Sequence, residues 1–377
     1  MPVLRAVVAA AVAVGAALGL GGSSAAARTS PHPRPSARAN EEAPAAGPGL
    51  TPSDLSWRLT PTGSAARLRG LSVVSGSVAW VSGSGGTVLR TTDSGSTWAS
   101  IGPADARALP IGDIEASSRD HAVALSSGSG ADARIYVTDD GGKSWTESFR
   151  NDDDRAFYDC MAFSSPLRGL ALSDPVDGAF RLLETTDGGH HWALVTPDGM
   201  PAALPNEFAF AASGACLTVG QGESTYLGTG GQSPARVLTS RNLGHNWSVA
   251  EVPVAGAPSA GVLSVQFRDR GVGVVVGGDY GNAQSAVGTA AWTTDGSTWH
   301  PSSPTPSGYR SGAAWLPMHH AVAVAVGPSG SDVTLDEGHG WTPFDAGSFD
   351  SVGCSPDGAC WASGEQGRVA RLVVGQR

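Results

Sequence analysis

Two carboxylates flanking a glycosidic bond are enough to hydrolyse it, and this 377-residue chain carries 34 Asp and Glu. Asp174 or Asp177 set against Asp279 or Glu207 is the pairing the sequence offers for that chemistry. Tyr280 and Arg310 complete the candidate binding set. Other chemistries find less support. The nine histidines form no His-x-His or His-Glu-x-x-His set. His190-His191, His245 and His339 fall in tight turns, so no metal is expected. No Gly-x-Ser-x-Gly elbow and no P-loop occurs. The four cysteines make no Cys-x-x-Cys, and no dinucleotide fingerprint or haem motif is present, so no cofactor is expected. Lys143 stands alone among scattered arginines, and the formal net charge is −10. That balance argues against nucleic acid as a partner.

The elements that must position these residues are set by a repeat. Six near-copies of Ser/Thr-x-Asp-x-Gly-x-Ser/Thr-Trp occur: Thr91–Trp98, Thr138–Trp145, Thr185–Trp192, Ser240–Trp247, Thr293–Trp299 (one residue short) and Thr334–Trp341. This is the Asp-box. Its tryptophans stand 47, 47, 55, 52 and 42 residues apart, the length of one four-stranded propeller blade. Asp and Gly suit a tight hairpin, and the tryptophan offers an apolar face to pack between sheets. Asp93, Asp140, Asp187, Asp295 and Asp336 are therefore read as turn formers. Asn242 in the fourth copy makes the same contacts without a charge.

Short β runs fill the intervals, for example Ile111–Ala116, His121–Leu125, Arg134–Val137 and Trp145–Phe149. Six boxes give six blades. Ser348–Cys354, Cys360–Ser363 and Arg368–Val374 supply three strands of a seventh, and Trp57–Leu59 supplies its outer strand. The expected fold is all-β, a seven-bladed β-propeller whose last blade is closed by the N-terminal strand. Residues 54–377 then hold about 46 per blade, matching the repeat.

In such a ring, the starts of the inner strands and the loops between second and third strands share one mouth of the channel. Inner strands are expected to begin near Arg69, Asp113, Tyr158-Asp159, Asn206-Glu207, Gly261, Tyr309-Arg310 and Ser348–Asp350. The loops are expected at Ser173–Gly178, Gln221–Tyr226, Gly277–Tyr280, Gly327–Asp332 and Gly364–Arg368. Asp174, Asp177, Glu207, Asp279, Tyr280 and Arg310 converge on one rim in this reading. Turn formation is the competing explanation for Asp174, Asp177 and Asp279, each near Pro or Gly.

Met1–Ala27 reads as a signal peptide: Arg5, an apolar run over Ala6–Leu20, and Ala25-Ala-Ala27 for cleavage. The apolar run is too short to span a bilayer, so stable membrane insertion is not expected. Its removal takes one arginine from the net charge and leaves −11. Residues 28–53, rich in Pro, Ala and Ser, read as a disordered linker, and 54–377 as the propeller. The protein is expected to be secreted or extracytoplasmic and monomeric. Cys354 and Cys360 face one another across a Pro-Asp-Gly turn and are expected to form a disulfide. Cys160, in the inner strand of blade three, and Cys216, in the second strand of blade four, either pair or stay as buried thiols.

With boxes and loops laid out, residues 54–377 resemble the photosystem II stability/assembly factor-like proteins. The more specific pieces are Trp80–Arg90, Leu172-Ser-Asp-Pro-Val-Asp-Gly178, Val276-Gly-Gly-Asp-Tyr280 and Gly308-Tyr-Arg-Ser-Gly312. The resemblance implies an exported seven-bladed propeller related to sialidases by fold. Photosynthetic members are assembly chaperones with an arginine-rich face, and this chain has no such dense patch. Sialidase chemistry needs three arginines for the substrate carboxylate. Arg69 and Arg310 are available, with Tyr158 or Tyr309 as nucleophile, and a third placed arginine is lacking. Some relatives are labelled oxidoreductases. The leading expectation is a non-catalytic binding or assembly module taking a protein or glycan ligand at the channel mouth. The alternative is a glycoside hydrolase using rim carboxylates, then a propeller oxidoreductase or a tethered structural module.

Overall fold

The computed structural model describes residues 49–196 and 199–375. The expected signal peptide and most of the expected linker lie outside the described residues. Seven antiparallel sheets form the blades of the propeller. Blade 1 runs Leu68–Val73, Ala79–Gly83, Thr87–Thr91 and Ala99–Ser100. Blade 2 is Ile111–Ala116, Ala122–Ser126, Arg134–Thr138 and Thr146–Arg150, and blade 3 is Phe157–Phe163, Gly169–Val176, Ala179–Thr185 and Ala193–Leu194. Blade 4 is Leu217–Val219, Thr225–Gly228, Ala235–Ser240 and Trp247–Val252, and blade 5 is Ala260–Phe267, Gly273–Asp279, Ala290–Thr293 and His300–Pro301. Blade 6 is Gly312–Trp315, Ala323–Gly327, Gly330–Thr334 and Thr342–Asp345. Blade 7 takes Ser351–Cys354, Cys360–Ser363 and Val369–Val374 from the C-terminal end and Leu55–Leu59 from the N-terminal end. Leu55 pairs with Val374 and Leu59 with Ala370, so the ring closes through the first strand. The first element among the described residues is a short turn of helix at Pro52–Asp54. Leu50 packs against the last blades, and Asp54 accepts the Thr51 N–H at 2.8 Å.

Each box is a hydrogen-bonded latch. In the second copy the Thr138 hydroxyl bonds Asp140 Oδ1 at 3.0 Å and accepts the Gly142 N–H at 2.9 Å. Asp140 then accepts Ser144 N–H at 2.9 Å and Ser144 Oγ–H at 2.7 Å. Those Ser144 bonds hold its carboxyl down at about 2, so it stays a charged acceptor. Ser240 and Asn242 repeat the arrangement in the fourth copy. Gly142 has φ +83°, and a Cβ there would meet Ile101 at 2.6 Å. Only glycine fits the turn and the neighbouring blade together. The tryptophans lock adjacent sheets. Trp145 meets Trp80 edge-on at 6.4 Å and donates to Ile101 O at 2.6 Å, while Trp98 meets Trp361 at 5.9 Å across the closure.

Two features position the site. The first is a β-bulge near the start of four inner strands, where one extra residue escapes the ladder. The extra residues are Arg69, Gly112, Asp159 and Leu263. A bulge re-aims side chains that regular pleating would turn elsewhere.

The second is a crossing segment. The expected inner strand near Asn206-Glu207 does not form; blade 4 begins at Leu217. Residues 206–216 instead run through the channel and touch every blade. Ala211 O faces Arg69 Nη1 at 3.5 Å, and Ala209 N–H donates to Asp174 at 2.8 Å. Gly214 packs on the Asp113 carboxylate so closely that a Cβ would lie 2.3 Å from it. Val265 N–H donates to Ala215 O at 3.2 Å, Ser213 Oγ donates to Ser311 O at 2.6 Å, and Ser351 Oγ donates to Ser213 O at 3.2 Å. Phe208 forms an isolated bridge with Gly230, in the connection between the second and third strands of blade 4. Two expectations change with it. Gln221–Glu223 joins the first and second strands of blade 4, on the opposite face, and Cys216 precedes the inner strand rather than sitting in the second.

Both disulfides form. Cys354–Cys360 bridges the first hairpin of blade 7, and Cys160–Cys216 ties blade 3 to the end of the crossing segment. Disulfides persist in oxidising compartments. Among the described residues no helix is long and apolar enough to cross a membrane.

Candidate functional site

The crossing segment divides the channel into two cups. The cup at the mouth opposite the boxes has a volume of about 610 Å³. The bulges aim Arg69, Asp159 and Leu263 into it from blades 1, 3 and 5. Phe208 and Phe210 form its floor, and Tyr280 and Tyr309 stand on its wall. Phe210 meets Phe208 at 4.9 Å and Tyr280 at 6.1 Å, both edge-on. Tyr280 is 52% exposed and forms part of the entrance. The cup at the box end, about 380 Å³, is lined by Asp113, Glu115, Gly214 and Trp315.

Charge is distributed unevenly around the upper cup. On the blade 1 side, Arg67 grips the buried Asp350 through two bonds of 2.8 and 2.7 Å, which raises its pKa. Arg69 has no such partner. Its Nε lacks any hydrogen-bond partner, and burial followed by repulsion from Arg67 lowers its pKa. As a lining residue of the cup, Arg69 can donate from its guanidinium to an entering acceptor. Across the cup, Asp159 and Asp174 lie within hydrogen-bond reach of each other. Burial pushes Asp174 up to about 6, against the Ala209 N–H bond that opposes the shift. Burial and the Asp174 charge push Asp159 well above the usual carboxylate range. Two such interacting groups titrate as a pair. The cup therefore sets donors against an acid pair, over an aromatic floor.

The six residues selected from sequence divide into three groups. Asp174 and Tyr280 line the cup. Asp177 and Asp279 are turn formers: Asp177 has φ +56° and bonds Arg155 at 2.8 Å, and Asp279 Oδ1 accepts Gly281 N–H at 2.8 Å and Ser259 Oγ–H at 2.7 Å. Glu207 and Arg310 are buried brackets. Glu207 accepts from Arg236 Nε and Nη2, from Thr229 Oγ at 2.6 Å and from Leu204 N–H at 2.8 Å. Arg310 is fully buried and bonds Asp332 Oδ2 at 2.6 Å, with further bonds to Tyr309 O, Ser307 and Ser329. The sequence pairing of Asp174 with Asp279 or Glu207 is not assembled, because each proposed partner is spent on other groups. Sequence reasoning omitted Asp159, Arg67 and Phe210 from the site. Arg67-x-Arg69 and the Asp159-Cys160 step were the available signals, since they place polar residues at the head of an inner strand.

No protein-family model matches the sequence, and no curated protein matches it. Solved structures do match in shape. One described as YCF48 bound to D1 peptide has TM-score 0.61 and 16% identity, covering 88% of this chain and 99% of that one. YCF48 from Cyanidioschyzon merolae has TM-score 0.58 and 14% identity, covering 84% and 98%. The GH74 xyloglucanase from Xanthomonas campestris has TM-score 0.59 and 16% identity, but this chain spans only 53% of its length. At these identities the likeness shows the fold, and it agrees with the resemblance carried by the sequence motifs.

Proposed function

We propose that this chain is an exported, non-catalytic propeller that holds an extended segment of another protein in the upper cup. The observation that carries the reading is convergence. Three bulged inner strands turn Arg69, Asp159 and Leu263 into one cavity that the 206–216 segment closes from below. A peptide backbone offers both acceptors and donors, which the Arg69 side and the Asp159–Asp174 side complement. Phe208, Phe210 and Tyr280 provide apolar contact. That a propeller of similar shape has been solved with a peptide bound supports a protein segment over a glycan. A glycoside hydrolase gains less support. Its two carboxyls stand about 5–9.5 Å apart with separate roles, whereas Asp159 and Asp174 stand close enough for the Asp174 charge to raise the Asp159 pKa.

The test is site-specific photo-cross-linking in the native host. A photoreactive phenylalanine at the exposed Tyr280 is expected to capture a discrete protein. The same residue at Met318, 71% exposed in the turn between the first two strands of blade 6, is expected to capture none. Turnover of a glycoside panel that disappears in Asp174→Asn would instead establish the hydrolase.

A further inference from the structure

The box face carries a cluster that the proposed binding function does not use. His121 Nδ1 lies 2.8 Å from Asp139 Oδ1, and His190 Nε2 lies 3.3 Å from Asp139 Oδ2. All three donor atoms fall within 4.8 Å of one another. His121 opens the second strand region of blade 2, Asp139 is the second residue of the blade 2 box, and His190 belongs to the blade 3 box. The cluster thus spans a blade boundary.

Other boundaries on this face are held differently. Arg90 of blade 1 donates to Arg119 O of blade 2 at 2.5 Å. Arg241 of blade 4 donates to Arg270 O of blade 5 at 3.2 Å, and Arg268 of blade 5 donates to His320 O of blade 6 at 2.8 Å. Arg168 of blade 3 pairs with Glu223 of blade 4. Each uses an arginine. Asp139 occupies the box position that Arg241 fills in blade 4. At the boundary between blades 2 and 3, an arginine clamp is thus replaced by a carboxylate between two imidazoles.

We propose that His121, Asp139 and His190 form a site for a divalent transition metal, with Zn²⁺ as the best fit, that clasps blade 2 to blade 3. Two imidazole nitrogens and a carboxylate oxygen suit Zn²⁺ or Cu²⁺ and are poor ligands for Mg²⁺ or Ca²⁺, which prefer all-oxygen sets. Donors around a tetrahedral Zn²⁺ with bonds of about 2.0–2.1 Å are separated by about 3.3 Å; the three side chains, whose donor atoms already lie within 4.8 Å of one another, reach that spacing by small rotations. His121 is mostly covered while His190 and Asp139 are 40% and 61% exposed in their side chains. A metal has a solvent path, and a water can complete the fourth position.

The experiment is calorimetric titration of tag-free mature protein, stripped with EDTA, with ZnCl₂ at neutral pH. One equivalent is expected to bind with Kd at or below about 10 µM. His190→Ala and Asp139→Asn are each expected to weaken it at least about tenfold. His191→Ala, on the adjacent exposed residue, is expected to leave it unchanged. Both of the first two residues are exposed enough for the variants to fold, and the melting temperature checks this. Zn²⁺ should raise the Tm of the parent and not of His190→Ala. Co²⁺ should give the intense visible bands of a tetrahedral site, abolished by Zn²⁺. Affinity weaker than about 100 µM, or equal affinity in His190→Ala, would overturn the site and leave the cluster as a hydrogen-bonded latch.

Discussion

At the residue scale, similar charged groups serve opposite purposes, and burial with partners separates them. Glu207–Arg236 and Arg310–Asp332 are buried, paired and fully bonded. Removing one member strands the other, which typically costs about 3–5 kcal/mol. Arg236→Met and Arg310→Met are therefore expected to lower the midpoint of chemical denaturation sharply, whereas Asp177→Ala is expected to change it little. The Asp159–Asp174 pair behaves differently. Asp174 rises from an ordinary 3.8 to about 6 in the fold, so the folded protein keeps a proton that the unfolded chain releases. Stability from this group is complete below about pH 4 and is lost as pH rises through about 6. Asp174→Asn retains an acceptor for Ala209 N–H and removes the buried charge. Its stability relative to the parent should grow between pH 4 and 7, by up to about 3 kcal/mol at roughly 1.4 kcal/mol per pKa unit. Melting curves across that range provide the check, and a pH-independent difference would show that the pair is not buried as described.

At the element scale, the boxes were legible because their chemistry is local: every bond of the latch joins residues within four positions. Gly142→Ala forces a side chain to φ +83° and against Ile101. A drop of about 1–3 kcal/mol in calorimetric stability is expected. The crossing segment was not legible. Phe208-Ala-Phe210 has the alternating look of an inner strand, and what removes it from blade 4 is a set of bonds to residues far away in sequence. The bulges were hidden for a related reason, since one extra residue leaves no mark in composition. Arg69 and Asp159 could thus be placed near the mouth, but not aimed into it. The disulfides differ in what they restrain. Cys160–Cys216 closes 56 residues and Cys354–Cys360 closes 6. On chain-entropy grounds their loss costs about 4 and about 2 kcal/mol. Paired Cys→Ser variants compared by denaturant titration should follow that order, and the reverse order would mean the crossing segment is held without its staple.

At the scale of the whole molecule, the ring is a frame whose channel the crossing segment divides into two cups, and the closure through Leu55–Leu59 preserves it. Strand counting made that closure legible, because three C-terminal strands lacked a fourth and the N-terminal end supplied one. Deleting residues 49–59 exposes the Val369–Val374 edge and is expected to lower and broaden the thermal transition. Under the proposed function the two faces divide the labour: the box face fastens blades, and the opposite face is the one proposed to take the ligand. The most direct measurement is the structure of the protein bound to the partner captured through Tyr280. It is expected to show an extended segment of that partner in the upper cup, with a backbone or side-chain acceptor on Arg69 and apolar contact on Phe210. A partner seated on the box face, with the upper cup untouched, would contradict the account.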